Sequence, residues 1–340
     1  MSIAVVPSPP PEPSHRALEQ AAEWFAVFGS GEATDADRKH WGAWLAESAE
    51  HQNAWRYVER ISHRFEPIKA SPEKNTAINA YQQARTALQR RRQALLGLGA
   101  LAGTGLFGWA MWRHTALPEL TLAWAADYRT GTGEIRDITL SDGSTVWLNT
   151  ASAFNQDYRP DQRRLHLVRG EILVDTAADP LGRPFYVETP QGRLQALGTR
   201  FTVRLDAHET FVAVYQGAVA VSTAAGAART VQAGQQTRFT RDTLAAPEAA
   251  DPAREAWTRG LLVARDTPLA DVVRELRRYY HGHLGLAPEL NDLRVFGGYP
   301  IGNPDQALAL LESALPIRVK RTLPWWTSIE PRDEAAAANR

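Results

Sequence analysis

The run ALLGLGALAGTGLFGWAMW, Ala94 to Trp112, constrains this chain more than any other feature, because nineteen consecutive residues carry no charge. As a helix rising about 1.5 Å per residue it would reach about 28 Å, close to the ~30 Å hydrocarbon core of a bilayer. It lies too far from the N-terminus to be a secretory signal. Arg85, Arg90, Arg91 and Arg92 precede it, whereas Arg113 and His114 follow. The positive-inside rule then places the N-terminal side in the cytoplasm, with Trp109 and Trp112 as anchors at the far interface. The alternative is a buried core helix, since five glycines lower the helix propensity of the run. The expectation is a single-pass membrane protein, N-terminus in and C-terminus out. Gly103, Gly105 and Gly108 spell GxGxxG, but no strand precedes them, so a dinucleotide site is rejected. Gly99 and Gly103 form a GxxxG pair, a helix-dimer face that a glycine-rich span also produces by chance.

Charge and cysteine content narrow the function. Lys plus Arg and Asp plus Glu each number 38, so no global field favours nucleic acid or basic partners. Cysteine is absent, which excludes disulfide frameworks, zinc ribbons and thiol catalysis. No GxSxG, HExxH or P-loop occurs, so classical enzyme activity has no motif to stand on. No cofactor or metal is expected.

Residues 1–16 include PSPPPEP and read as a disordered tail. Residues 17–92 read as a helical domain. A first helix runs near Ala17–Phe28 and stops at Gly29 and Gly31. Thr34-x-x-Asp37 resembles a capping box opening a second, in which Trp41, Trp44 and Leu45 recur at helical spacing. Ser48 can cap a third helix with Trp55, Val58 and Ile61 on one stripe. Ser71-Pro72 opens a fourth, leading to residues 94–112. Trp24, Trp41, Trp44 and Trp55 are four large rings in about fifty residues. Each is either core or part of a protein-binding face, where tryptophan concentrates.

Beyond the span the period changes from 3.6 to 2. In ITLSDGSTVWLN, strands alternate around Asp142-Gly143, a pair suited to a type I′ turn. RRLHLVRG, EILVD, RPFYVET, GRLQAL, TRFTVRL, TFVAVYQ, GAVAVST and GQQTRFT follow as short strands. Residues 120–243 are therefore a mostly-β domain, a sandwich, barrel or β-solenoid. After an Ala/Pro-rich linker at Leu244–Pro252, residues 257–330 alternate strand and helix and read as a small α+β domain. Its first helix opens at Thr267-Pro268 with Leu269, Val272, Val273, Leu276 and Tyr280 on one side, and its second at Asn303-Pro304. His281-Gly-His283 could suggest a metal, but Gly282 reads as a helix C-cap and no third ligand lies nearby. Arg163-Arg164 and Arg277-Arg278 read as solvated faces.

One strand contains an interruption. In ALGTRFTV, Gly198-Thr199 stands between two hydrophobic runs, although glycine weakens a strand interior. The residues allow a bulge with an ordinary strand threonine.

The order of these parts, with WLAESAEHQNAW, LSDGSTVWLN, RGEILVD, VETPQGRLQALGTRFTV and VYQGAVAV, resembles the FecR-like family of transmembrane anti-sigma regulators. Residues 257–330 resemble the short N-terminal domain of secretins and TonB-dependent transducers. The resemblance covers about residues 17–330. It implies a bacterial inner-membrane location, with a cytoplasmic anti-sigma domain that binds an extracytoplasmic-function sigma factor. It implies a periplasmic part that hears the signalling domain of a TonB-dependent outer-membrane transducer, typically an iron-siderophore importer. Release would come through periplasmic and intramembrane proteases. The rivals are a membrane-anchored scaffold without sigma binding, and a β-domain whose task is autoprocessing or ligand binding. The resemblance also implies self-cleavage at Gly198–Thr199, where Thr199 would attack the Gly198 carbonyl. His166 and His208 are the histidines of the β-domain from which a base could come.

Overall fold

The computed structural model describes residues 13–30, 33–65 and 126–332. It divides into two compact units: Met1–Lys69 with Leu261–Arg340, and Ala70–Gly260.

The described residues of the second unit are β apart from one 3₁₀ segment, Pro252–Arg259. In chain order its strands are β1 (Tyr128–Arg129), β2 (Arg136–Thr139), β3 (Thr145–Leu148), β4 (Ala153–Tyr158), β5 (Arg163–Asp175), β6 (Phe185–Thr189), β7 (Gly192–Ala196), β8 (Arg200–Leu205), β9 (Thr210–Gln216), β10 (Ala218–Thr223), β11 (Ala228–Gln232), β12 (Gln235–Phe239) and β13 (Glu248–Ala249). They hydrogen-bond in the order β11-β10-β7-β6-β5-β8-β9-β12-β13, with β3 and β4 also paired to β5. RRLHLVRG and EILVD, two strands in the sequence reading, are one: β5 runs unbroken through Gly170. Its first half pairs with β4 and β6, and its second half with β3 and β8. Between the two halves Gly170 lies so close to Ser152 that an added Cβ would come within 2.7 Å of the Ser152 Cα.

Alternation explains the core. In β3 (TVWL) and β10 (AVAVST), every second residue is buried, as a sheet with one packed face requires. Leu148, Phe154, Leu165, Ile172, Phe185, Leu194, Phe201, Val212, Val219 and Phe239 belong to one aliphatic and phenylalanine cluster, each 1% exposed or less. The middle of β9 and the end of β5 depart from this pattern. Phe211 to Val214 and Ile172 to Val174 are buried consecutively, so both faces are covered there. Arg254, in the 3₁₀ segment Pro252–Arg259, lies over the Phe211 ring at 4.3 Å. Glu255 beside it accepts from Arg200 Nε at 3.1 Å.

The DGS turn differs from expectation. Gly143 has φ 84° whereas Asp142 is not among the positive-φ residues, so the turn is not type I′, which needs both. The Gly143 N–H donates to the Leu140 carbonyl at 3.0 Å, and the Leu140 N–H to the Ser144 carbonyl at 2.8 Å. Asp142 is freed to point inward. Its carboxylate accepts from Ser144 Oγ at 2.7 Å, Tyr158 Oη at 3.1 Å and Arg163 Nη1 at 2.6 Å. Arg163, expected in solvent, is buried against it. Burial alone would raise the Asp142 pKa, but these hydrogen bonds hold it below the ordinary carboxylate value.

The first unit contains α1 (His15–Ser30), α2 (Asp35–Glu47) and α3 (Ala49–Phe65). It continues with β14 (Leu261–Pro268), α4 (Leu269–Leu276), β15 (His283–Leu286), β16 (Arg294–Pro300), α5 (Pro304–Ala314), β17 (Ile317–Leu323) and β18 (Trp326–Pro331). The capping box forms as read: Thr34 accepts from the Asp37 N–H, and Asp37 from the Thr34 N–H. Asn303 caps α5 by accepting from the Gln306 N–H at 3.1 Å. In the turn after α4 it is Tyr279, 1% exposed, that follows Leu276 into the core, and Tyr280 is half-buried. β14 pairs with β16, and β15-β18-β17 form a separate sheet.

This layout overturns the expected fold class of an all-α domain, a single transmembrane helix, a β domain and a small α+β domain. Among the described residues no helix is long and apolar enough to cross a membrane. Ala94–Trp112, where the span was placed, lies outside the described residues, as does the helix expected at Ser71-Pro72. The N-terminal helices and the C-terminal α/β part, expected on opposite faces of a bilayer, share one core. Ala17, Ala21 and Ala22 of α1 form a flat face, and Trp325 and Trp326 belong to the same cluster. Glu19 sits in that contact, accepting from Trp326 Nε1 at 2.9 Å and Ser328 Oγ at 3.0 Å.

Candidate functional site

The two sets of residues singled out by sequence lie in different units. In the helical unit, the four tryptophans separate into different environments. Trp44 is 9% exposed, stacks on His51 at 4.5 Å between centroids, and donates from Nε1 to Gln20 Oε1 at 3.1 Å. Its needs are met inside the bundle. Trp24 stacks on Phe28 at 6.4 Å. Trp41 and Trp55 meet edge to face at 5.0 Å, and Phe28 approaches them at 5.3 and 6.1 Å. Together with Phe25, Gly29 and Arg38 they line an apolar cleft of about 410 Å³.

That cleft follows from local sequence. The capping box starts α2 so that Trp41 falls on the side facing α1, and Phe25 and Phe28, three residues apart, share one face of α1. Trp41 Nε1 is buried and has no hydrogen-bond partner. A buried indole N–H without an acceptor costs about 1–3 kcal/mol. Phe25 and Phe28 were missed because the reading followed tryptophan alone. Their i, i+3 spacing beside Trp24 was the available signal.

In the β unit, Leu197 to Thr199 carry the chain from β7 to β8. Gly198 has φ 76° and Gly217, between β9 and β10, has φ 74°, values glycine adopts without steric cost. The two meet: a Cβ on Gly217 would stand 2.2 Å from the Gly198 carbonyl oxygen. Only a residue without a side chain lets that carbonyl lie there. Gly198-Thr199 is thus a junction between strands, with Gly198 exposed and Thr199 3% exposed.

The Thr199 backbone is held from one direction. Its N–H donates to Thr176 Oγ1 at 2.8 Å. Its carbonyl accepts from the Thr176 N–H at 3.0 Å and Thr176 Oγ1 at 3.2 Å. Thr199 Oγ1, by contrast, is buried without a partner. Neither candidate histidine reaches it. His166 Nδ1 faces Glu188 Oε2 at 3.2 Å on β5 and β6, and His208 is exposed in the turn past the far end of β8. Thr176 was invisible in the sequence reading, since nothing there paired residue 176 with 199.

His281-Gly-His283 builds no site. α4 ends at Leu276, so Gly282 is not its cap. Gly282 has φ 124° and its Cα lies against the Trp325 carbonyl. His283 stacks on Trp326 at 3.7 Å, and burial drives its pKa down to about 3. Among the described residues no group of three or more His, Asp or Glu could hold a metal ion.

Comparison with known proteins bears on both units. Residues 126–220, which run from β1 into the start of β10 and include the Gly198–Thr199 junction, match the family described as FecR protein. The chain carries a FecR domain. Residues 19–61, which hold the aromatic cleft, match a domain of unknown function, DUF4880. Among solved structures, a candidate anti-sigma factor from Parabacteroides distasonis, determined at 1.65 Å, is 23% identical with TM-score 0.50. The match covers 60% of this chain and 98% of that one. A second structure described in the same words, at 2.50 Å, gives 23% identity, TM-score 0.49, and coverage of 60% and 97%. At this identity the likeness is one of fold. No curated protein matches the chain. The FecR domain therefore contains the Gly198–Thr199 junction, and the aromatic cleft belongs to the region N-terminal to it.

Proposed function

We propose that this chain is an anti-sigma regulator in which helices α1 to α3 hold an extracytoplasmic-function sigma factor and the FecR domain receives the signal. The observation that carries this reading is a FecR domain joined, in one chain, to a helical bundle whose cleft leaves the Trp41 indole N–H without an acceptor. Several apolar side chains from one face of a sigma-factor helix fit the volume offered. Large aromatic rings around such a pocket are the usual form of a binding hot spot. Tagged full-length chain, purified from its native cells, is expected to bring down a sigma factor identified by mass spectrometry. Paired Phe28→Ala and Trp41→Ala changes should weaken that recovery by more than about tenfold, as loss of ~2 kcal/mol hot-spot contacts would. Wild-type chain that recovers no sigma factor would falsify the proposal.

The finer reading follows the family resemblance. The signal is contact with the signalling domain of a TonB-dependent outer-membrane transducer that imports an iron-siderophore, and proteases then release the sigma-bound helices. A purified signalling domain that shows no binding to the chain in a direct titration would remove this part.

We further propose self-cleavage at Gly198–Thr199, supported by the buried Thr199 hydroxyl that no group in the fold occupies. Attack of Thr199 Oγ1 on the Gly198 carbonyl carbon forms a C–O bond and breaks the C–N bond, giving an ester that water opens. The Gly198 side of the junction, with Leu197 52% exposed, is where water has access. Wild type should give two fragments and Thr199→Ala one chain.

A further inference from the structure

The self-cleavage reading leaves one atom without an assigned partner in the reaction, the nitrogen of Thr199, which must depart from Gly198 and finish as an amine. Resting on that reading, we propose that Thr176 is the residue that clamps this nitrogen and returns a proton to it.

The geometry is specific. Asp175 pairs with Arg200 at the end of the β5–β8 ladder, so the next pair out is Thr176 with Thr199. The Thr176 N–H makes the bond a ladder residue makes, to the Thr199 carbonyl at 3.0 Å. The acceptor for the Thr199 N–H is the Thr176 side chain instead, Oγ1 at 2.8 Å. The same Oγ1 donates its own proton to the Thr199 carbonyl at 3.2 Å. A hydroxyl is both donor and acceptor and rotates freely between the two roles.

The chemical consequence follows atom by atom. Attack by Thr199 Oγ1 makes the Gly198 carbon tetrahedral, and the nitrogen loses its amide resonance and gains a basic lone pair. That lone pair forms out of the former amide plane, and inversion at the nitrogen turns it toward Thr176 Oγ1, 2.8 Å away. The Thr176 proton turns from the Thr199 carbonyl to the nitrogen as the C–N bond breaks. Thr199 Oγ1 gives its proton to water and Thr176 recovers one from water, so the shift is an isomerisation with no net proton change. Water then opens the ester to a Gly198 carboxylate and the free Thr199 hydroxyl. The Gly198 carbonyl packs against Gly217 and residue 199 is pinned on both its backbone groups, while its hydroxyl has no hydrogen-bond partner.

The test uses the full-length chain made by cell-free synthesis, with fragment formation followed over time in wild type, Thr176→Val, Thr176→Ser and Thr199→Ala. Valine keeps the shape and removes the hydroxyl; serine keeps the hydroxyl. Thr176→Val should slow cleavage by about a hundredfold, the usual contribution of a positioned proton donor. Thr176→Ser should stay within about threefold of wild type, and a slowing in D₂O seen for wild type should vanish in the valine variant. Thermal melting of each chain checks the fold, and Thr176→Ala replaces a valine variant that does not fold. Wild-type cleavage that continues unchanged in Thr176→Val overturns the role of Thr176 alone. Absence of cleavage in wild type overturns the parent reading and this inference with it.

Discussion

The β unit and the three-helix part of the first unit are filled by different kinds of side chain. The FecR domain has a core of Leu, Val, Ile and Phe with a single Ala196, and no tryptophan. The helical unit is built from Ala17, Ala21, Ala22, Ala54 and Val58 around Trp44, Trp325 and Trp326, with Trp24, Phe25, Trp41 and Trp55 only partly covered. Branched aliphatics on alternating strand positions interdigitate and fill space to crystal-like density. Tryptophan against alanine does not: ring edges remain and an indole N–H must find an acceptor. The first unit therefore keeps an open cleft lined by aromatic rings, whereas clefts on the second are lined largely by polar and small side chains.

The sharpest way to break this contrast is at Asp142, whose side chain is 1% exposed and paired with Arg163. Asp142→Ala leaves Arg163 buried without its carboxylate and should lower stability by about 3–5 kcal/mol. Differential scanning calorimetry should show the β-unit transition falling and the helical one staying. If both transitions fall together, the two units do not melt independently.

Acid should separate the units in the other order. His283 is half-buried against Trp326 and Tyr57, with Arg277 and His15 adding repulsion to any positive charge there. Its pKa is depressed to about 3 from an unfolded value of about 6.5. A depressed pKa means the unfolded chain binds the proton more readily, so this stability is fully present above about pH 6.5 and lost toward pH 3. The loss is about 1.4 kcal/mol per pH unit between those values. Asp142, also depressed, adds its own loss only below about pH 4. Near-UV circular dichroism at pH 5 should show the helical unit weakened and the β unit intact, with the difference abolished by His283→Phe. Equal acid sensitivity of both units would refute the assignment.

The smallest expected effect is at the capping box. Thr34→Ala should destabilise α2 by about 1 kcal/mol and shift Trp41 in the cleft. Tryptophan fluorescence should report the change at Trp41 before global unfolding does. A fluorescence spectrum identical to wild type would mean that α2 is placed by packing and not by its cap.

Much of the secondary structure was legible because it is local. Thr34-x-x-Asp37, Asn303-Pro304 and the alternation in TVWL and AVAVST each state their own geometry within a few residues. The junction at Gly198-Thr199 could be located, since a glycine between two apolar runs is a local signal. Its meaning could not. The contact with Gly217, the Thr176 clamp and the burial of Arg163 on Asp142 join residues about twenty positions apart, through pairings that no local pattern encodes. The membrane-spanning layout was read from one apolar run outside the described residues, whereas the packing of Trp325 and Trp326 on the alanine face of α1 depends on residues about three hundred positions away. The sequence by itself determined which segments are helix or strand, because propensity, capping and period act over a few bonds. Tertiary structure alone decided which hydroxyl, indole or carboxylate would be buried without a partner or with one, because burial is a property of neighbours in space.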